Sequence, residues 1–405
     1  ANLSANLAIC LKLERRFVMV AGDVDSKALE IIDVRLPIDV DKLIGHLVER
    51  TEFPAGPATV KQFNKGQSNP TYLIEDSKGG RWVLRKKPPG RLLKTAHQVD
   101  REYKVLSALQ GTGVPVPRVL AFVEDESVIG TQFYVMEFVE GRIIEDILLK
   151  NETPENRRLI YGSLLECLAK LHRVDFRVVG LEGFGKPKNF FQRQLNTWRR
   201  NYEDGRAVVN DPVAWERAGH TFIDNGDHMD RLTAYLIANV DKELATVGEE
   251  LSSIVHGDYS LPNVILHPTE PRIVAILDWE LCTIGNPLAD MSYVAMNWYA
   301  PWYVAGGSKH AADSSPGIPS ETEFVSRYCE LMGIPLIPDS LWRFLKAFHI
   351  FRRCAIAHGV FARSLQGNAS SSKAASNPWS SKPAQIALEE ILGVTRAGLE
   401  HPSKL

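Results

Sequence analysis

Apolar and polar positions alternate in short runs between residues 58 and 138 and fall mostly at helical spacing after that. Ahead of the runs, residues 37–50 (PIDVDKLIGHLVER) carry a helical pattern with Ile38, Leu43, Leu47 and Val48 on one side. Strand-length segments follow at 58–65 and 70–76, flanking Gly66-Gln67-Ser68-Asn69. Lys78-Gly79-Gly80 signals a turn into a third strand, Arg81–Arg85. Residues 95–110 read as a helix, and Pro115 and Pro117 separate it from two more apolar segments, 118–124 and 131–138. From residue 141 the pattern turns helical. Residues 154–174 form a long helix, with Thr153 as its cap and Pro154 at its first position. More helical material fills 187–247, short strands return at 254–278, and helices are expected at 287–298, 320–332 and 340–366. The Ser/Ala/Asn-rich stretch 367–382 reads as a mobile loop, followed by a last helix at 383–393.

Composition narrows the class of protein. A chain of 405 residues, 44% apolar and 24% charged, has ordinary globular composition and room for one large two-lobed unit or a few smaller domains. Its 47 basic and 49 acidic residues leave a net charge of −2, which gives no bias toward nucleic acid or an anionic membrane. No apolar run reaches the roughly 18 residues of a membrane span. Cys10, Cys167, Cys282, Cys329 and Cys354 are too scattered for a zinc site or a CxxC motif and read as free thiols. Residues 1–21 are mildly basic and amphipathic, an extension or a mitochondrial presequence. The chain stops at Ser403-Lys404-Leu405, a tripeptide that a peroxisomal import receptor reads at a C-terminus, so a peroxisomal location is expected.

The candidate chemistry lies in Val255-His256-Gly257-Asp258-Tyr259-Ser260-Leu261-Pro262-Asn263 and in Ile276-Leu277-Asp278-Trp279-Glu280. Phosphoryl transfer to a hydroxyl needs a carboxylate for the hydroxyl proton, oxygen ligands for magnesium, and positive charge for the triphosphate. Asp258 and Asn263 are five apart, the spacing of the catalytic Asp and the metal-binding Asn of a kinase catalytic loop. Asp278 ends an apolar strand, in the place of a second metal ligand. Taken singly, these residues are a turn Asp, a capping Asn and a strand-end solvator. Taken together they specify a magnesium and ATP site, with Asp258 catalytic and Asn263 and Asp278 on the metal.

The segments HGDYSLPNVI, AILDWE and GNPLADMSY resemble the signature of aminoglycoside phosphotransferases and the wider choline-kinase-like group, over residues 40–366. The nearest resemblance is to the kinase-like region fused to certain acyl-CoA dehydrogenases, where VLRKKPPG, REYKVL, FYVMEFVEGR and HGDxxxxN…LDWE occur in this order. The resemblance implies an α+β, two-lobed protein-kinase-like fold, with a small β-rich N-lobe and a larger, mostly helical C-lobe. Residues 1–36 would be an N-terminal extension, 37–140 the nucleotide-binding N-lobe, 141–395 the catalytic and acceptor-binding C-lobe, and 396–405 the tail. About 40 residues remain after 366, so a stand-alone kinase-like chain is expected.

The resemblance also implies roles. Gly66, Ser68 and Asn69 would aim backbone N–H groups at phosphate oxygens, the alternative being a plain hairpin turn. Arg85 falls where kinases place the strand-three lysine, with Lys87 on the same side and Glu102 as partner; the alternative is a solvated basic edge. Glu137 and Val139 would meet the adenine through their backbones, after Met136 at the gatekeeper position. Asp290 would support the catalytic loop. His256 reads as a packed histidine rather than a proton carrier, and Trp279 as core.

The expected reaction is phosphorylation of a small hydroxylated molecule, with a hydroxyacyl-CoA suggested by the dehydrogenase-linked resemblance and the peroxisomal tripeptide. Arg199 and Arg200 would then meet the CoA phosphates, or form a solvated helix face. An aminoglycoside- or choline-like amine alcohol is the alternative acceptor. A nucleotide-binding pseudokinase is the alternative class, favoured by the arginine at position 85. Few residues separate Asp278 from the next helix, which leaves little room for the activation loop of a protein kinase.

Overall fold

The structure, a computed structural model, describes residues 31–34, 38–63, 69–88, 98–248, 250–300, 315–367 and 379–394. The positions expected at Gly66 and Ser68, most of the 367–382 stretch, the start of the 95–110 helix, the N-terminal residues and the tail with Ser403-Lys404-Leu405 lie outside the described residues.

Six antiparallel strands form the main sheet: β1 (Ile31–Ile32), β2 (Ala58–Phe63), β3 (Thr71–Asp76), β4 (Arg81–Lys86), β5 (Val119–Val123) and β6 (Phe133–Glu137), in spatial order β1-β2-β3-β4-β6-β5. Five of these were expected. The sixth, β1, comes from the stretch read as extension and pairs Ile31 with Phe63 and Ile32 with Gln62. Two residues give no alternation to detect, so the pattern could not announce it. The turn between β3 and β4 forms as its residues dictate: Asp76 accepts the N–H groups of Lys78 (2.8 Å) and Gly80 (2.7 Å), and Gly79 takes φ +83°.

Helix α1 (Val40–Arg50) is capped by Asp39, which accepts the Lys42 N–H at 3.0 Å. Its Leu43, Ile44 and Leu47 are buried in one cluster with Tyr72, Ile74, Leu84, Phe133 and Val135 of the sheet. Helix α2 (Val99–Leu109) separates β4 from β5. Helix α3 (Pro154–Arg173) starts as its sequence requires, with the Thr153 hydroxyl accepting the Asn156 N–H at 3.2 Å and Pro154 in the first turn.

The remaining elements run in order as α4 (Phe190–Val209), α5 (Pro212–Arg217), α6 (His228–Ala245), β7 (Ser253–Val255), β8 (Val264–Leu266), β9 (Ile273–Ile276), β10 (Thr283–Gly285), α7 (Leu288–Val294), α8 (Met296–Tyr299), α9 (Glu321–Met332), α10 (Asp339–Leu365) and α11 (Lys382–Ile386). Helix α11 runs on into a π-helical turn, Ala387–Ile391. Two compact units result. One holds the main sheet, continues to Phe184 and takes in His256–Thr283; the other holds Gly185–Val255 and the chain from Ile284 on. Residues 141–184 and the segment carrying Asp258 group with the sheet. Within the helical unit α10 packs along α4, with Phe348 edge-on to Phe191 at 5.1 Å.

Candidate active site

The catalytic segment lies between β7 and the β8–β9 hairpin, and its backbone is fixed from several sides. Val264 pairs with Ile276 across the hairpin, and the Leu277 N–H donates to the Asn263 carbonyl at 2.8 Å. Helix α3 holds the same region: its Ser163 hydroxyl accepts the Ile273 N–H at 3.0 Å, and its Leu164 carbonyl accepts the Tyr259 hydroxyl at 2.7 Å. The linker out of the main sheet joins as well. Arg142 and Leu266 exchange two backbone hydrogen bonds, of 2.8 and 2.9 Å, and a Cβ on neighbouring Gly141 would lie only 2.1 Å from the Leu266 carbonyl oxygen. Gly141 is therefore glycine because the hairpin backbone passes against it.

His256 is fully buried. Its Nδ1 accepts the Asp258 N–H at 3.2 Å, so its proton sits on Nε2, which faces the Leu277 carbonyl at 2.9 Å. The ring packs on Trp279 at 4.7 Å. With both nitrogens engaged inside the loop, His256 ties the Asp258 segment to the Asp278 segment. Asp258 and Asn263 are buried together: the Asn263 amide nitrogen donates to the Asp258 carbonyl at 2.7 Å and to its Oδ2 at 2.9 Å. Asp278 adopts φ +73°, the left-handed region that a non-glycine residue rarely occupies, and stands 3.9 Å from Arg85 Nη2.

Arg85 reaches this place from β4. Its Nε lies 3.1 Å from Oε2 of Glu102, and its Nη2 donates to Glu102 Oε1 at 3.4 Å. Burial works against the guanidinium charge, but Glu102, helped by Tyr134 and Glu280, outweighs it and raises the pKa above the ordinary arginine value. Lys87 turns to Gln132 (2.6 Å) and Asp100 (4.0 Å) instead. The strand register thus makes Arg85 the partner of Glu102. Asn69 is buried beside the pair, and its side-chain amide donates to Glu102 Oε1 at 2.7 Å. Sequence reasoning missed Tyr134, whose hydroxyl donates to Glu102 Oε2 at 2.9 Å. A tyrosine in an apolar strand reads as core, and nothing in the alternation marks its hydroxyl.

At the end of β6 the Glu137 N–H is taken by the Arg118 carbonyl at 2.8 Å and the Phe138 N–H by the Arg81 carbonyl at 3.3 Å; Val139 follows in irregular backbone. Asp290 is buried in the first turn of α7, in the helical unit. Arg199 pairs with Glu203 one turn along α4 at 3.0 Å, and Arg200 Nε donates to the Asn196 carbonyl at 3.2 Å. Both are contacts of an exposed helix face.

Among the described residues no group of three His, Cys, Asp or Glu side chains could hold a metal ion. The donors fit magnesium differently. Asn263 and Asp278 offer hard oxygens, few in number, and magnesium takes few protein ligands when phosphates and water complete its shell. The Asn263 amide nitrogen is the end that faces Asp258.

The sheet with one helix between β4 and β5, the loop carrying Asp258 and Asn263, and the Arg85–Glu102 pair are the arrangement expected of a kinase-like phosphotransferase. Comparison with known proteins agrees: the profile of the phosphotransferase enzyme family matches residues 59–317, and the chain belongs to that family. That family is one of phosphotransferase enzymes. A solved structure from Ralstonia eutropha, described provisionally as an aminoglycoside phosphotransferase, is 37% identical, with a TM-score of 0.70 over 88% of this chain and 97% of its own. The fold is therefore the two-lobed, protein-kinase-like α+β fold. Among curated relatives, the Arabidopsis thaliana protein named "Probable acyl-CoA dehydrogenase IBR3" is 40% identical over 86% of this chain and 42% of its own length. The human acyl-CoA dehydrogenase family member 11 is 39% identical over 77% of this chain and 37% of its own length. The chain thus spans about two fifths of the length of the curated relatives it matches.

Proposed function

We propose that this chain transfers the γ-phosphoryl group of magnesium-bound ATP to the hydroxyl of a hydroxyacyl-CoA. The observation that carries the ATP-dependent reading is the placement, in one compact unit, of Asp258 against Asn263 and of Arg85 between Glu102 and Asp278. In this reading the acceptor oxygen attacks the γ-phosphorus, the bond to the ADP oxygen breaks, and Asp258 takes the acceptor's proton. Asn263 and Asp278 would hold magnesium, which would supply charge to offset the phosphates. Arg85, kept protonated by Glu102, adds positive charge beside Asp278. In the same reading Glu137 and Val139 would meet the adenine through their backbones.

The acyl acceptor is supported by the relatives' names, which are those of acyl-CoA dehydrogenases, and by the C-terminal Ser403-Lys404-Leu405, which fits a peroxisomal address. The test is a mass-spectrometric search for phosphorylated product. The purified protein is supplied with MgATP and, separately, hydroxyacyl-CoAs, the free hydroxy acids, choline and an aminoglycoside. Phosphorylation of the CoA esters above all others is expected. Preference for an amine alcohol overturns the acyl reading and leaves the phosphotransferase intact. For the address, deleting Ser403-Lys404-Leu405 is expected to move the protein from peroxisome to cytosol in fluorescence microscopy; unchanged localisation removes the peroxisomal proposal.

A further inference from the structure

Glu102 is 1% exposed, and a carboxylate that deep is stable only if its oxygens are hydrogen-bonded. Arg85 does this poorly: its hydrogen bond to Oε1 is long, 3.4 Å, and its Nε contact with Oε2 is an ion-pair approach at 3.1 Å. The short bonds come from elsewhere. Asn69, entering β3, donates to Oε1 at 2.7 Å, and Tyr134 of β6 donates to Oε2 at 2.9 Å. These two donors, from separate elements, take one oxygen each. Burial, then the charge of Glu102, pushes the Tyr134 pKa well above the ordinary tyrosine value, so its hydroxyl keeps its proton as a donor at every working pH.

We propose that Asn69 and Tyr134 are positioning residues for the nucleotide phosphates: they fix the Glu102 carboxylate, and Glu102 in turn aims the guanidinium of Arg85. An arginine at this position makes such a clamp necessary. A lysine would present one ammonium that can swivel between carboxylate and phosphate. A guanidinium is planar, and turning its Nε–Nη2 side to Glu102 fixes where the rest of the fork points. Two donors that hold the carboxylate independently of Arg85 leave the remaining N–H groups directed at phosphate oxygens. The residue read from sequence as a phosphate-loop contact, Asn69, then acts through its side chain and through Arg85.

This inference rests on the MgATP reading given above, and calorimetric titration of the full chain separates the two. MgATP and AMP serve as probes, so no acceptor is needed. Tyr134→Phe and Asn69→Ser are each expected to weaken MgATP binding by about five- to thirty-fold, the factor that a small loss of positioning produces. AMP, which lacks the phosphates Arg85 would meet, is expected to bind as before; a general loss of structure would weaken both. In an Arg85→Ala background, Tyr134→Phe should add little, because the residue it positions is gone. Should Tyr134→Phe not fold, Asn69→Ser carries the same test alone. If Arg85→Ala weakens MgATP while Tyr134→Phe and Asn69→Ser do not, the positioning role is wrong and the nucleotide site stands. If Arg85→Ala itself leaves MgATP affinity unchanged, the phosphate role of Arg85 falls, and the inference with it.

Discussion

Asp258 is buried and bonded to Asn263, so the two are best separated by what each loses on substitution. Asp258→Asn keeps the shape of the loop and removes only the proposed proton acceptor. Its expected effect is a fall in kcat of about 10²–10⁴-fold, the usual scale of general-base catalysis, with MgATP affinity nearly unchanged. Single-turnover phosphorylation alongside nucleotide titration checks this, and a variant with wild-type turnover would remove Asp258 from the chemistry. Asp278→Ala should do the reverse and weaken MgATP in the same titration, with little effect on magnesium-free nucleotide. Gly257 has a more structural role. It takes φ +84°, and a Cβ there would lie 2.7 Å from the Leu281 carbonyl oxygen, so Gly257→Ala should displace the Asp258 loop and lower both activity and melting temperature. A melting temperature equal to wild type would show that the loop has room the geometry denies it.

Helix α2 is the element on which the proposed nucleotide site would turn, because it is anchored on two sides. Glu102 faces Arg85, Asn69 and Tyr134, while the preceding residue, Arg101, donates to the carbonyls of Phe184 (3.0 Å) and Cys282 (3.3 Å) and stacks on the Phe184 ring at 3.8 Å. Arg101→Ala removes a cation–π contact and two charged hydrogen bonds at once, and should let α2 shift. The expected result is weaker MgATP binding together with faster amide exchange along Val99–Leu109; unchanged exchange would show that α2 is held by its apolar face alone. The Arg85–Glu102 pairing was read from the sequence, but the Asn69 and Tyr134 bonds to Glu102 and the Arg101 contacts were not. The strands of the main sheet were legible because their alternation and the Lys78-Gly79-Gly80 turn are local signals, and α3 because Thr153 and Pro154 mark its start. The contact between Asp258 and Asn263 was legible because their spacing is short and chemically specific. The Asn69–Glu102–Tyr134 cluster joins distant segments, its partners 33 and 32 positions apart, and no local pattern encodes that convergence. Arg101 reads as an ordinary polar position on a helix, since its partners are backbone carbonyls contributed by distant segments.

At the scale of the molecule, the helical unit carries a liability that the catalytic chemistry does not explain. His349 and His358 on α10 are both buried. Burial lowers the His358 pKa from the ordinary 6.5 to about 3, with Arg206 adding to the shift. His349, which meets the Ser292 hydroxyl at 2.9 Å, is held well below the ordinary value by burial and then by Arg352; a hydrogen bond with the Ala289 backbone works the other way, and Arg353 adds a smaller push downward. Above pH 6.5 both rings are neutral in the folded and unfolded chains and contribute no pH dependence. Below it, the unfolded chain takes up protons that the folded chain refuses, so stability falls as pH falls toward 3. The slope is about 1.4 kcal/mol per pH unit for each histidine that stays neutral on folding. Urea unfolding followed at pH 7, 6 and 5 is therefore expected to show a steep loss of stability. His358→Phe keeps an aromatic ring against Tyr202 and Trp379, which pack on it at 4.5 and 4.7 Å, and removes one titrating group. That variant should lose about one proton's worth of the slope while following the wild type above pH 6.5, whatever its absolute stability. An unchanged slope would mean that His358 takes its proton inside the folded protein, and that the acid sensitivity of the helical unit rests on His349 and the carboxylates.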